Sequence, residues 1–86
     1  MPQFMVERYL SGMTKESVVS SVSRTREQAS RMTREGSAVA YIHSAFVPSE
    51  EYMVCVFEAS SVRLVWEVND RAGFAFDRVV EVIVVE

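Results

Sequence analysis

The run Arg78-Val79-Val80-Glu81-Val82-Ile83-Val84-Val85 most constrains what this chain can fold into. Apart from Arg78 at its start and Glu81 in its middle, every residue is apolar and β-branched. Such side chains are stiff at χ1 and favour extended backbone. A half-buried strand alternates apolar with polar residues; this one offers apolar groups to both faces, so both must be covered. Helices of the same chain can cover one face. The other needs a second layer, and 86 residues leave little from which to build it.

The rest of the chain supplies the elements. Phe4 to Leu10 alternates weakly and reads as a first strand, and Ser11-Gly12 as a turn. Thr14 is a good N-cap ahead of Lys15-Glu16, with Met13 and Val18 placed as a hydrophobic staple. The helix that follows runs to about Glu35. Val18, Val22, Thr25, Ala29 and Met32 form its inward stripe, and Gly36 stands at the position that ends it. Residues 38–47 and 52–58 read as two strands. Pro48-Ser49-Glu50-Glu51 joins them into an antiparallel hairpin. Ser60 caps a second helix over 61–72, with a stripe of Val62, Val65, Trp66, Asn69 and Ala72, closed by Gly73. The order strand, helix, strand, strand, helix, strand predicts a ferredoxin-like α+β domain over residues 1–86. Right-handed crossovers put the first and third strands in the middle, the fourth and second at the edges, and both helices on one face.

The open face then sets the expectation for partners. The chain is 49% hydrophobic with a mean hydropathy of +0.08, and its one cysteine forms no internal disulfide. A homodimer with two sheets packed face to face, about 10 Å apart, buries the surplus. A net charge of −3 disfavours nucleic acid, whose binding rests on phosphate neutralisation. No apolar run approaches about 20 residues, so no membrane span is expected. The first residues lack a signal-peptide pattern, which with a lone thiol fits a reducing cytoplasm.

Few residues carry chemistry. There is no glycine-rich phosphate loop, Cys-x-x-Cys, His-x-x-x-His or nucleophile elbow. His43, the sole imidazole, has three roles open to it: metal ligand, acid–base group or polar strand residue. Glu7 and Glu81 interrupt strands expected to be neighbours, and an unpaired carboxylate there is costly. If Phe4 and Val6 face the helices, Glu7 faces the open side. If Val80, Val82 and Val84 do so, Glu81 joins it. Arg8 and Arg78 are candidate ion-pair partners. Cys55, in a central strand, fits a small buried hydrophobe. If residues 47 and 52 pair, His43 lies opposite Val56 and faces away from Cys55. One further loop residue places His43 opposite Cys55 on one face. Asn69 is polar on an inward stripe, fit to cap the helix or to line a helix–sheet pocket.

The motifs Glu7-Arg8, Tyr41-Ile42-His43-Ser44, Cys55-Val56-Phe57-Glu58-Ala59, Asn69-x-x-Ala72-Gly73 and Asp77-Arg78-Val79 occur in that order. Taken together, the chain resembles a family of small bacterial domains of unknown function, best known from actinomycetes and described as nickel-binding. The resemblance spans essentially the whole chain. It implies a ferredoxin-like homodimer that binds nickel, with a role in sequestration or tolerance. Members often carry histidine where this chain has Asn69, and proline where it has Ser60. The ligand set it implies here is His43, Glu7, Glu81 and Cys55, completed across a two-fold axis. The alternative expectation is a small-molecule binding protein, or an acid–base enzyme of isomerase or cyclase type. It would use Tyr41, His43, Glu7 and Asn69 in a cleft or dimer cavity.

Overall fold

The computed structural model describes residues 1–86. Its elements run β1 (Gln3–Tyr9), α1 (Lys15–Arg34), β2 (Val39–Val47), a single 3₁₀ turn (Pro48–Glu50), β3 (Tyr52–Ala59), α2 (Val62–Ala72) and β4 (Arg78–Val82). The sheet is antiparallel, with strand order β2-β3-β1-β4. This is the ferredoxin-like arrangement expected from the order of elements.

Local chemistry sets the boundaries. Thr14 caps α1 by accepting from the Ser17 amide, and Ser17 Oγ accepts from the Thr14 amide in return. The α1 stripe packs inward at Val18, Thr25, Ala29 and Met32, with Val22 partly buried against it. Gly73 ends α2 at φ 65°, a left-handed conformation that glycine adopts without a Cβ penalty. The N-cap of α2 is Ser61, one residue later than expected. Its inward face carries Leu64 and Val68 alongside Val65, Asn69 and Ala72, while Trp66 stands 49% exposed.

Strand parity sorts the side chains. Phe4, Val6 and Arg8 of β1 and Met53, Cys55, Phe57 and Ala59 of β3 are all buried beneath the helices. Gln3, Met5, Glu7 and Tyr9 point the other way with Tyr52, Val54, Val56 and Glu58, their register partners. No element of the chain covers this second face.

The last strand departs from expectation. β4 stops at Val82, opposite Gln3. Beyond Gln3 the neighbouring chain is spent: Pro2 has no N–H to offer, and its carbonyl already accepts from the Ala59 amide at 3.1 Å. Ile83 and Val85 are therefore 88% and 87% exposed. The register also reverses the expected parity. Val79 lies opposite Val6 and packs against the core, so Glu81, opposite Phe4, is on the helix side and not the open side. It stays exposed because β4 is an edge.

The hairpin of β2 and β3 uses both of the registers left open by the sequence. From Val47 opposite Tyr52 back to His43 opposite Val56 the indices sum to 99, and from Tyr41 opposite Phe57 onward they sum to 98. A β-bulge at Ile42 absorbs the extra residue. Consequently Tyr41 and Ser44, three apart, face the same side, and Tyr41 Oη lies 2.5 Å from Ser44 Oγ. His43 is left exposed on the open face, turned away from Cys55.

Candidate functional site

Two groups of polar side chains stand out, one on each face of the sheet. Beneath the helices, β1 delivers Arg8 into the core, where it is fully buried. Its Nη1 donates to the Phe74 and Ala75 carbonyls at 3.1 and 3.2 Å. Its Nη2 donates to Asn69 Oδ1 at 2.6 Å and to Cys55 Sγ at 3.3 Å. The guanidinium carbon lies 3.7 Å over the Phe74 ring, a cation–π contact, while Nε finds no partner. No carboxylate balances the charge. Burial lowers the Arg8 pKa from its ordinary value, and the neighbouring Cys55 and Tyr41 oppose that shift.

This arrangement explains two of the sequence candidates. Asn69 is the acceptor for a buried cation, and its Nδ2 donates to the Val65 carbonyl at 2.8 Å. Cys55, 1% exposed, packs as a hydrophobe and offers its sulfur to the same guanidinium. A metal ion at Cys55 would meet that positive charge at contact distance, so the thiol is not placed to serve as a ligand. Arg8, expected at a strand end beside a carboxylate, is the residue the sequence reading missed. Its parity with Phe4 and Val6 was the available signal.

On the open face Glu7 is the centre. Arg78 Nε donates to Glu7 Oε1 at 2.6 Å and Tyr52 Oη donates to Glu7 Oε2 at 2.7 Å. The Glu7 carboxylate is 13% exposed. The Tyr52 hydrogen bond, then the Arg78 contacts, hold the Glu7 carboxyl below its usual range; burial opposes them. The same bond holds the Tyr52 phenol above its usual value. Tyr9 stacks at a tilt on Tyr52, ring centroids 5.1 Å apart.

The expected ligand residues do not converge within one chain. His43 sits on β2 and Glu7 on β1, with β3 between them, so two strand spacings of about 10 Å separate them. Glu81 is on the opposite side. Glu58 is nearer to His43 than Glu7 is: it lies two residues along β3 from Val56, which His43 faces, and therefore about 7–8 Å away on the diagonal. No group of three or more His, Cys, Asp and Glu side chains in the chain is arranged to hold a metal ion. The donors of a single chain thus do not make a closed nickel site. Nor do Tyr41, His43, Glu7 and Asn69 share a pocket. Tyr41 lines a cleft between α1 and β2, Asn69 a separate one at the end of α2, and the other two are on the far face.

A four-stranded sheet with two helices on one face and an uncovered, partly apolar second face defines a small ferredoxin-like domain. Over residues 4–82 the chain matches the family described as nickel responsive protein, SCO4226-like. It belongs to that family. The crystal structure of SCO4226 from Streptomyces coelicolor A3(2) has the same fold, with a TM-score of 0.79 at 20% identity over 98% of this chain and 99% of that chain. No curated protein matches the sequence. The family description is consistent with a metal-binding role. No helix is long and apolar enough to cross a membrane.

Proposed function

We propose that this protein is a homodimeric nickel-binding protein that sequesters the ion between protomers, on the sheet faces the helices leave open. The observation that carries the reading is the placement of His43. The chain's only imidazole is exposed on that face, yet no three donors of its own chain gather to hold a metal ion. A two-fold axis presents every donor twice, so two imidazoles and two sets of carboxylates become available at one interface. Nickel favours imidazole nitrogen with carboxylate in support. Glu58, diagonal to His43, and Glu7 are the carboxylates on this face. Glu7 is already committed to Arg78 and Tyr52 and would have to exchange those bonds to bind a cation.

Apolar surface supports the dimer. Met5, Val54, Val56 and Val80 form the middle of the open face, where they are only partly buried. Packing two such faces together removes them from water at about 25 cal/mol per Å². Light scattering on the purified protein at micromolar concentration tests this. A mass of two chains is expected, and Val56→Lys, which puts a charge in the centre of the face, is expected to give one. A monomeric wild type, or a Val56→Lys variant that remains dimeric, overturns the arrangement.

A further inference from the structure

We propose that the cleft between α1 and β2 binds a small amphiphilic carboxylate, its head group on Arg26 and Arg34 and its apolar body over Val22 and Phe46. The arginines of this chain are otherwise engaged. Arg31, Arg63, Arg71 and Arg78 each pair with a glutamate, Arg24 donates to the Ala72 carbonyl and to two serines, and Arg8 is in the core. Arg26 and Arg34 have no acidic partner, in a chain whose net charge is −3. With Ser30 they step by four along α1, and all three line one hollow of about 530 Å³ whose floor is Ala29, Val39 and Tyr41.

The floor is built before any ligand arrives. The Arg26 guanidinium lies 4.9 Å over the Tyr41 ring. That ring is fixed by an edge-on contact with Phe57, centroids 5.6 Å apart, and by the hydroxyl contact with Ser44. The contact exists because the bulge at Ile42 turns residues 41 and 44 to the same side. A bulge that re-aims side chains into a cleft is a common device beside binding sites. Arg26 and Ser44 also line a second hollow of about 460 Å³, whose other walls include Val18, Val22, Phe46 and Met53. Cationic heads with one apolar hollow alongside match an anion that has an apolar tail. Arg26, already held over the Tyr41 ring, loses little entropy on binding it.

Decanoate, below its micellar concentration, is the probe, and amide chemical shifts in two-dimensional NMR are the readout. Shifts are expected in α1 and β2 around residues 18–34 and 39–46, with saturation. Arg26→Gln is expected to weaken binding about tenfold or more, as for loss of a charge-assisted contact. Arg34→Gln should weaken it less, and decanol should bind more weakly than decanoate. Nickel binding should be unchanged in both variants, since neither arginine is on the open face. Binding indifferent to Arg26→Gln, equal affinity for decanol, shifts confined to the open face, or no binding at all would each overturn the assignment.

Discussion

Asn69→Leu provides a sharp test of how the core tolerates Arg8. The substitution keeps the branched heavy-atom skeleton of the side chain and raises helix propensity, but removes the 2.6 Å acceptor of a fully buried guanidinium. The Nδ2 bond to the Val65 carbonyl is lost as well, but that carbonyl keeps its backbone partner in α2, so the larger loss falls on Arg8. A hydrogen bond to a charged group is worth about 1.5–3 kcal/mol, and an orphaned buried donor adds to the penalty. We therefore expect a destabilisation of about 2–3 kcal/mol. In a domain of this size each kcal/mol moves the melting temperature by about 4–8 °C, which gives a fall of roughly 10–20 °C. Arg8 already carries one unpartnered atom, Nε, so it has no spare contact to fall back on. The control is Arg8→Met, which replaces the cation with an apolar chain. In that background Asn69 has lost its charged donor, and Asn69→Leu is expected to be neutral or stabilising. The assay is urea unfolding of the four proteins, with a coupling energy of at least about 1.5 kcal/mol between the two sites. Asn69→Leu within about 0.5 kcal/mol of wild type, or two additive substitutions, would refute the view that Asn69 exists to receive Arg8.

Glu7 makes stability depend on pH in a defined direction. Its folded-state pKa is depressed, so its contribution is present above the unfolded carboxyl pKa of about 4.3 and is lost as pH falls through the folded value. Glu7→Gln should lower the melting temperature at pH 7, and the gap to wild type should close on acidification; a gap that is constant with pH contradicts the assignment. Tyr52 gives the mirror case: its raised pKa means its contribution is present below about pH 10 and lost above it. In Cys55→Ser the new hydroxyl would meet Arg8 Nη2 and is not left without a partner. Cys55→Ser should cost about 1 kcal/mol or less, and Cys55→Ala, which removes the acceptor and opens a void, about 1–3 kcal/mol. Equal costs in the two variants would show that the sulfur–guanidinium contact is incidental.

The fold was legible because each element carries its own punctuation. Thr14, Gly73 and the Pro48–Glu51 loop mark ends that the structure keeps within a residue or so. Strand order followed from connectivity alone. What the sequence did not disclose depends on contacts between distant segments. Ile83-Val84-Val85 reads as strand, but the strand stops where β1 runs out of backbone donors and acceptors at Pro2. The parity of β4 turns on a one-residue choice that its repeated valines leave undetermined, and the register takes the alternative that puts Glu81 on the helix side. The Ile42 bulge is equally silent, since Tyr41-Ile42-His43 contains no glycine or proline to mark it. Helix α2 disclosed only part of its inward face: Val65, Asn69 and Ala72 of the expected stripe are buried, but Leu64 and Val68 fill the space against the sheet where Trp66 was expected. Of the candidate site, Glu7 pairing with Arg78 and the burial of Cys55 followed from the sequence. The capture of Asn69 by Arg8 did not, because a lone arginine in a strand is ordinarily a surface residue.

The central claim is that nickel is shared by two chains through His43. Titration calorimetry of tag-free protein with nickel at pH 7.5 tests it most directly. The account predicts binding well below about millimolar with one ion for every two chains. His43→Asn should remove that affinity while the dimer persists. Binding no tighter than about millimolar, one ion per chain, or a His43→Asn variant that binds as wild type would contradict the account.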